Sequence, residues 1–139
     1  MIRRATAVRC LAAVLAVCLA AGCASADSLK QARGEGVKRT FRQPYDKVFA
    51  AAMSAADERK LAVVESKRKD GVILLTSGAS LSSLGGERIA VFVARLDDAE
   101  TSVEVVVRPV VPGVSFPPDW PDLLFGEIEE NLAEQRLSN

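Results

Sequence analysis

Cys23 is the side chain with the most specific chemical setting in this 139-residue sequence. It follows Leu19-Ala20-Ala21-Gly22, and small residues there let an extended chain enter a peptidase cleft. Other reactive groups are sparse. The chain has no histidine, which removes the commonest general base near neutral pH and the commonest metal ligand. It carries no Walker phosphate loop, no Gly-x-Gly-x-x-Gly turn and no Gly-x-Ser-x-Gly elbow. Two carboxylate pairs remain, Asp97/Asp98 and Glu129/Glu130. Catalytic carboxylates need burial or a close partner to separate their pKa values, whereas acids in a turn or on a helix surface are solvated. Sequence leaves a Ser–Lys pair open, although the Ser80, Ser82 and Ser83 stretch reads more simply as a flexible connector. The last candidates are aromatic. Phe116 and Trp120 lie in a proline-rich run, Val110 to Trp120, that reads either as a partner-docking patch or as a plug folded back over a sheet edge. Aromatic residues dominate binding hot spots.

The elements around Cys23 give its setting a direction. Arg3, Arg4 and Arg9 form a basic start, and an apolar stretch runs from Leu11 to Ala21. That length suits a signal segment and falls short of the ~20 residues that cross a bilayer. With Ala20-Ala21-Gly22 before the cysteine, the segment resembles the lipobox of bacterial lipoproteins. The resemblance implies that residues 1–22 are a signal peptide and that Cys23 becomes the N-terminus and carries a diacylglyceryl group. Ala20 stands where that family prefers Leu. Cys18, preceded by Val17, and Cys10, ahead of the apolar run, would leave with the signal. The alternatives are an ordinary secretory signal cut near Ala24 or Ala26 and a retained anchor helix. Lipoproteins of this class carry two or three chains, and each buried CH₂ contributes ~0.8 kcal/mol, so anchoring is durable. The residues after the cysteine are Ala24 and Ser25 rather than Asp. By the family's sorting rule this implies the periplasmic face of the outer membrane rather than the inner membrane. An acylated Cys23 leaves no thiol for catalysis, for a zinc–thiolate site or for a disulfide.

Composition bounds the rest. From Cys23 onward there are 117 residues, enough for one domain with a single core. Dropping the signal leaves 15 basic against 18 acidic residues, which argues against a nucleic-acid binder. The basic excess lies early, with 11 Lys/Arg against 7 acids over residues 24–70 and 4 against 11 over residues 71–139. A basic half near the lipid would favour anionic headgroups, or else is ordinary solvated surface.

Residues 23–36 read as a lipidated N-terminus and flexible tether with an r.m.s. reach of ~20 Å. Residues 37–139 read as a single α+β domain. A strand spans Val37–Arg42. Pro44 fits the first turn of a helix that runs to about Lys60, with Tyr45, Val48, Phe49, Ala52 and Ala56 on one stripe. Strands follow over Leu61–Ser66 and Val72–Ser77, joined by a turn containing Asp70-Gly71, a hairpin signal. Glu87–Leu96 is apolar on both faces and therefore central. Thr101–Arg108 turns Val103, Val105 and Val107 inward and Ser102, Glu104 and Arg108 outward. A closing helix starts near Trp120, favoured by Asp119 or Asp122, with Leu124, Phe125, Ile128 and Leu132 buried. The order is β-α-β-β-β-β-α, an antiparallel sheet with two helices packed on it.

This order resembles the BamC-like helix-grip domains of the outer-membrane barrel-assembly machinery and several small envelope lipoproteins. The matching residues are Pro44–Tyr45 with Val48 and Phe49, the Asp70-Gly71 turn, and the Thr101–Val107 strand leading to a final helix. A shared fold does not fix function. The expectation is a non-enzymatic envelope lipoprotein without cofactor or metal. It is anchored to the membrane through Cys23 and docks an envelope protein, with Phe116 and Trp120 as the docking residues. The alternative is a carrier of a small apolar ligand or lipid, held between the sheet and the final helix.

Overall fold

The computed structural model describes residues 26–113 and 116–138. A short helix, α1, spans residues 26–31. The remaining elements are β1 (Val37–Phe41), α2 (Tyr45–Glu58), β2 (Ala62–Lys67), β3 (Val72–Thr76), β4 (Glu87–Arg95), β5 (Thr101–Pro109) and α3 (Trp120–Leu137). The sheet is antiparallel throughout, in the order β1-β5-β4-β3-β2. The fold is the expected α+β arrangement, and β2 to β5 form a meander joined by two short turns and, between β3 and β4, a ten-residue loop. β1 returns beside β5, pairing Val37 with Val105 and Phe41 with Thr101.

The two faces of the sheet bury different sets of side chains, because strand residues alternate sides. One face carries Ile73, Leu75, Ile89, Val91, Val93, Val103 and Val105, and α2 and α3 cover it. α2 contributes Val48, Phe49 and a run of buried alanines, whose small size lets the helix approach closely; α3 contributes Leu124, Phe125, Ile128 and Leu132. Phe41 and Phe125 meet with ring centroids 6.2 Å apart. α3 begins as its sequence predicts, with the Asp119 side chain accepting from Asp122 N at 3.2 Å. Pro44 sits one residue earlier than expected, as the N-cap of α2. Gly71 closes the β2–β3 turn at φ +65°, and a Cβ there would lie 1.9 Å from Val93 O.

The other face differs from expectation. Residues 26–36, read as part of a flexible tether, instead cover that face. Leu29 and Ala32 are each 5% exposed, packed with Val72, Leu74, Ala90, Phe92 and Val106, and Ala26 packs against the same group. The physical reason is that these sheet residues are apolar and need a cover. Glu104 differs for the same reason. Expected to point into water, it lies under this strap and is 4% exposed. Its Oε1 accepts from Gly34 N at 2.7 Å and Gly36 N at 2.8 Å, and Lys38 Nζ stands 3.8 Å from Oε2. Gly36 permits the approach, since a Cβ there would meet Val105 O at 2.4 Å. The carboxylate thus fastens the strap to the sheet.

Loops and turns leave the sheet at two ends. The β3–β4 and β5–α3 connections and the start of α3 lie at one end, called here the loop end. The β2–β3 and β4–β5 turns lie at the other, called the turn end.

Candidate functional site

At the turn end four elements converge on an open cleft of about 500 Å³. The strap supplies Arg33, the first turn of α2 supplies Tyr45 and Asp46, the β2–β3 turn supplies Arg68 to Gly71, and β4 supplies Val93 to Arg95. Its local geometry follows from the hairpin. Gly71 N donates to Arg68 O at 3.3 Å, and Val93 N to Gly71 O at 2.8 Å, which lays the turn against the end of β4. The Tyr45 hydroxyl donates to Arg68 O and ties α2 to the same turn.

Four cations, Arg33, Arg68, Lys69 and Arg95, face two acids there, Asp46 and Asp70. Three of the cations are held on aromatic rings. The Arg33 guanidinium lies 4.5 Å from the Phe92 ring centre, Arg68 5.0 Å from Phe49 and Arg95 5.5 Å from Tyr45. Such contacts restrict the guanidinium groups. Arg33 also donates to Asp70 O at 3.1 Å, and Arg68 pairs with Asp46 at 3.0 Å. Burial, joined by the neighbouring Asp46 carboxylate, pushes the Tyr45 phenol above its ordinary value of 10.0 against the pull of Arg68, Arg33 and Arg95. The phenol therefore stays protonated near neutral pH. With no serine, cysteine or histidine in its lining, the cleft offers hydrogen-bond donors and positive charge, suited to carboxylate or phosphate groups.

The loop end holds a buried acid, Glu87, only 2% exposed. Its Oε2 accepts from the Ser77 hydroxyl and from Trp120 Nε1 at 3.1 Å, while Glu87 N donates to Ser77 Oγ at 2.8 Å. Burial favours the protonated acid, but the hydrogen bonds from Ser77 and Trp120, with the Ser83 hydroxyl nearby, outweigh it and hold the pKa below the ordinary 4.5. The Ser83 hydroxyl assists without good hydrogen-bond geometry, for both Ser83 Oγ and Glu87 Oε1 lack a partner within bonding criteria. A cavity of about 260 Å³ lies alongside, lined by Arg59, Lys60, Ser77, Ser80 and Trp120 among others. Through the Trp120 bond this cluster ties the start of α3 to β4.

The sequence candidates separate. Cys23 lies outside the described residues. Phe116 is 81% exposed, and its N–H donates to Ser82 O at 2.7 Å. Trp120, expected beside it on a docking patch, is instead 9% exposed. Its indole body completes the core and its N–H serves Glu87, so Trp120 folds back as the plug alternative has it, while Phe116 stays exposed. Asp97 caps its own turn, accepting from Ala99 N and Glu100 N at 2.7 Å each. Glu129 pairs with Arg39 at 3.1 Å on the surface. The space between sheet and α3, proposed for a ligand, is filled by Leu124, Phe125 and Ile128. A small apolar recess of about 150 Å³ lies instead beside α1, lined by Ala26, Leu29, Val64 and Leu74 among others.

The cleft arginines and the two buried glutamates were not legible as sites. One signal pointed to Glu104: the residues on its side of β4 and β5 (Ala90, Phe92 and Val106) are apolar. Among the described residues no three carboxylates or other ligands converge on a metal position, and no helix is long and apolar enough to cross a membrane. No family model and no curated protein matches this chain.

Proposed function

We propose that this chain is a membrane-anchored, non-enzymatic envelope lipoprotein, held through Cys23 at the periplasmic face of the outer membrane, that docks an acidic segment of another envelope protein. The sequence around Cys23 supports the anchor. The observation that carries the docking role is the turn-end cleft, where Arg33, Arg68 and Arg95 are stacked on Phe92, Phe49 and Tyr45. Guanidinium groups held in place lose less freedom on binding, and their planar donors match carboxylates in pairs.

In-cell photo-crosslinking with the probe at Lys69 tests the docking role. One recurrent envelope protein is expected, and its capture should be lost in Arg95→Glu, a change at an exposed position. No specific adduct, in membranes that contain the lipidated protein, contradicts it. The carrier reading rests on the recess beside α1. At about 150 Å³ it falls below the ~300 Å³ of ordinary ligand sites, so the docking role is preferred.

A further inference from the structure

Two connections at the loop end are nearly free of charge. Residues 77–86, between β3 and β4, number ten and contain no Lys, Arg, Asp or Glu; residues 110–119, between β5 and α3, also number ten and contain one, Asp119, the N-cap of α3. They are tied together where Phe116 N donates to Ser82 O at 2.7 Å and Val110 N to Gly86 O at 3.0 Å. Leu81, Leu84, Val110, Val111 and Phe116 are all exposed on them, Leu81 completely. The turn end has the opposite character. Its turns carry Lys67-Arg68-Lys69-Asp70 and Asp97-Asp98-Ala99-Glu100. A clustered, uncharged apolar surface marks contact with an apolar partner.

The course of the chain identifies that partner. α1 starts at Ala26, which lines one small recess together with Thr76 and Arg88, the last β3–β4 pair before the uncharged loop. It runs away from that end, so that Arg33 reaches Asp70 and Phe92. Three residues lead from Cys23 to Ala26, an extended reach of about 10 Å. A lipid on Cys23 therefore brings the bilayer to the end of the molecule where the apolar side chains project. Arg88 and Arg108, cross-strand partners on β4 and β5, lie just behind these loops and are exposed; Arg108 also pairs with Glu35. At that depth their stems lie along apolar surface while their heads meet anionic headgroups. Phe116 is the kind of apolar side chain that buries at the boundary between headgroups and acyl chains.

We infer that Leu81, Leu84, Val110, Val111 and Phe116 insert into the interfacial layer of the anchoring membrane. This sets the domain loop end down and turns the basic cleft away from the bilayer. The inference rests on the acylated Cys23 of the proposed function. It goes beyond anchoring, because a tethered domain without this contact would have no fixed orientation.

The test uses the full chain, produced in bacteria and reconstituted into phosphatidylethanolamine–phosphatidylglycerol vesicles. Leu81→Cys and Phe116→Cys, with Lys69→Cys and Asp98→Cys as turn-end controls, are each labelled with a polarity-sensitive fluorophore. The mass of the N-terminal peptide is read from the same preparation. The expected result is a blue shift at positions 81 and 116 and loss of their emission when nitroxide-bearing lipid is included, with positions 69 and 98 emitting as in water. Labels at 81 and 116 that remain in water beside an acylated Cys23 would overturn the inference and leave the anchor intact. Labels shielded from water yet insensitive to lipid nitroxide would assign the surface to a second copy of the chain and equally refute it. An unmodified N-terminal peptide would refute the anchor and remove the premise.

Discussion

Replacing Glu104 by alanine should release the N-terminal strap from the sheet. The carboxylate accepts two backbone amides, at 2.7 and 2.8 Å, while itself 4% exposed. A hydrogen bond to a charged group is worth about 1.5–3 kcal/mol, so the pair sets a ceiling of about 3–6 kcal/mol. Gly34 is exposed, and a strap that lifts away lets both amides meet water again. The cost is then bounded by what the strap contributes: about 2 kcal/mol for burying Leu29, plus a net of roughly 1 kcal/mol for each amide bond. A loss of about 4 kcal/mol is expected, against about 1 kcal/mol for Glu104→Gln, which keeps an acceptor oxygen. Urea unfolding gives the loss as a change in midpoint at constant slope. Amide exchange locates it, with Gly34 and Gly36 losing protection in the alanine variant. A midpoint change worth less than about 0.5 kcal/mol, the range of ordinary surface substitutions, with both amides still protected, would refute the clamp.

Other expectations concern the core, the turn and the buried acid at the loop end. Ile128→Ala removes a side chain that is 1% exposed and should cost about 2–5 kcal/mol in urea unfolding. Gly71→Ala places a Cβ 1.9 Å from Val93 O at φ +65° and should cost more than about 1 kcal/mol, with exchange quickened at Val93. The lowered pKa of Glu87 means that the unfolded chain takes up the proton first. Its contribution is present above the ordinary carboxyl value of about 4.5 and is lost as pH falls through the lower folded value. Ser77→Ala removes a donor and should shrink this acid-side loss, measured as the wild-type and variant urea midpoints compared from neutral pH downward. Trp120 is the only tryptophan, and its buried indole should give blue-shifted emission that moves red on unfolding. Trp120→Phe should cost about 1–3 kcal/mol by leaving Glu87 short of a donor.

Much of the architecture was legible because period and chemistry agreed. The two apolar faces of Glu87–Arg95 placed β4 centrally, and the stripe of Leu124, Phe125, Ile128 and Leu132 located the buried side of α3. Asp70-Gly71 marked its turn, and Asp119 its helix start. The strap was not legible, because Ala26, Leu29 and Ala32 are too few for a period to emerge over six helical residues. Its polar neighbours also matched a tether in composition. The stronger signal was indirect. Leu74, Ala90, Phe92 and Val106 are apolar on a face that neither α2 nor α3 covers, and some element had to cover them. Glu104 was assigned to water by the same alternation that placed Val103 and Val105 correctly, since period 2 separates the faces without saying what covers each. Trp120 and Phe116 were read together because they are neighbours in sequence, yet the helix start at Trp120 turns one inward and leaves the other on the loop. The cleft was invisible, since Arg33, Tyr45, Arg68 and Arg95 come from four segments that only the tertiary fold brings together.

The most direct measurement is the mass of the N-terminal peptide of the full chain purified from bacterial membranes. A peptide that begins at Cys23 and carries a diacylglyceryl group is the expected result, and it would place the lipid within about 10 Å of α1. A peptide beginning unmodified at Ala24 or later, or one that retains residues 1–22 without lipid, would contradict the anchored reading.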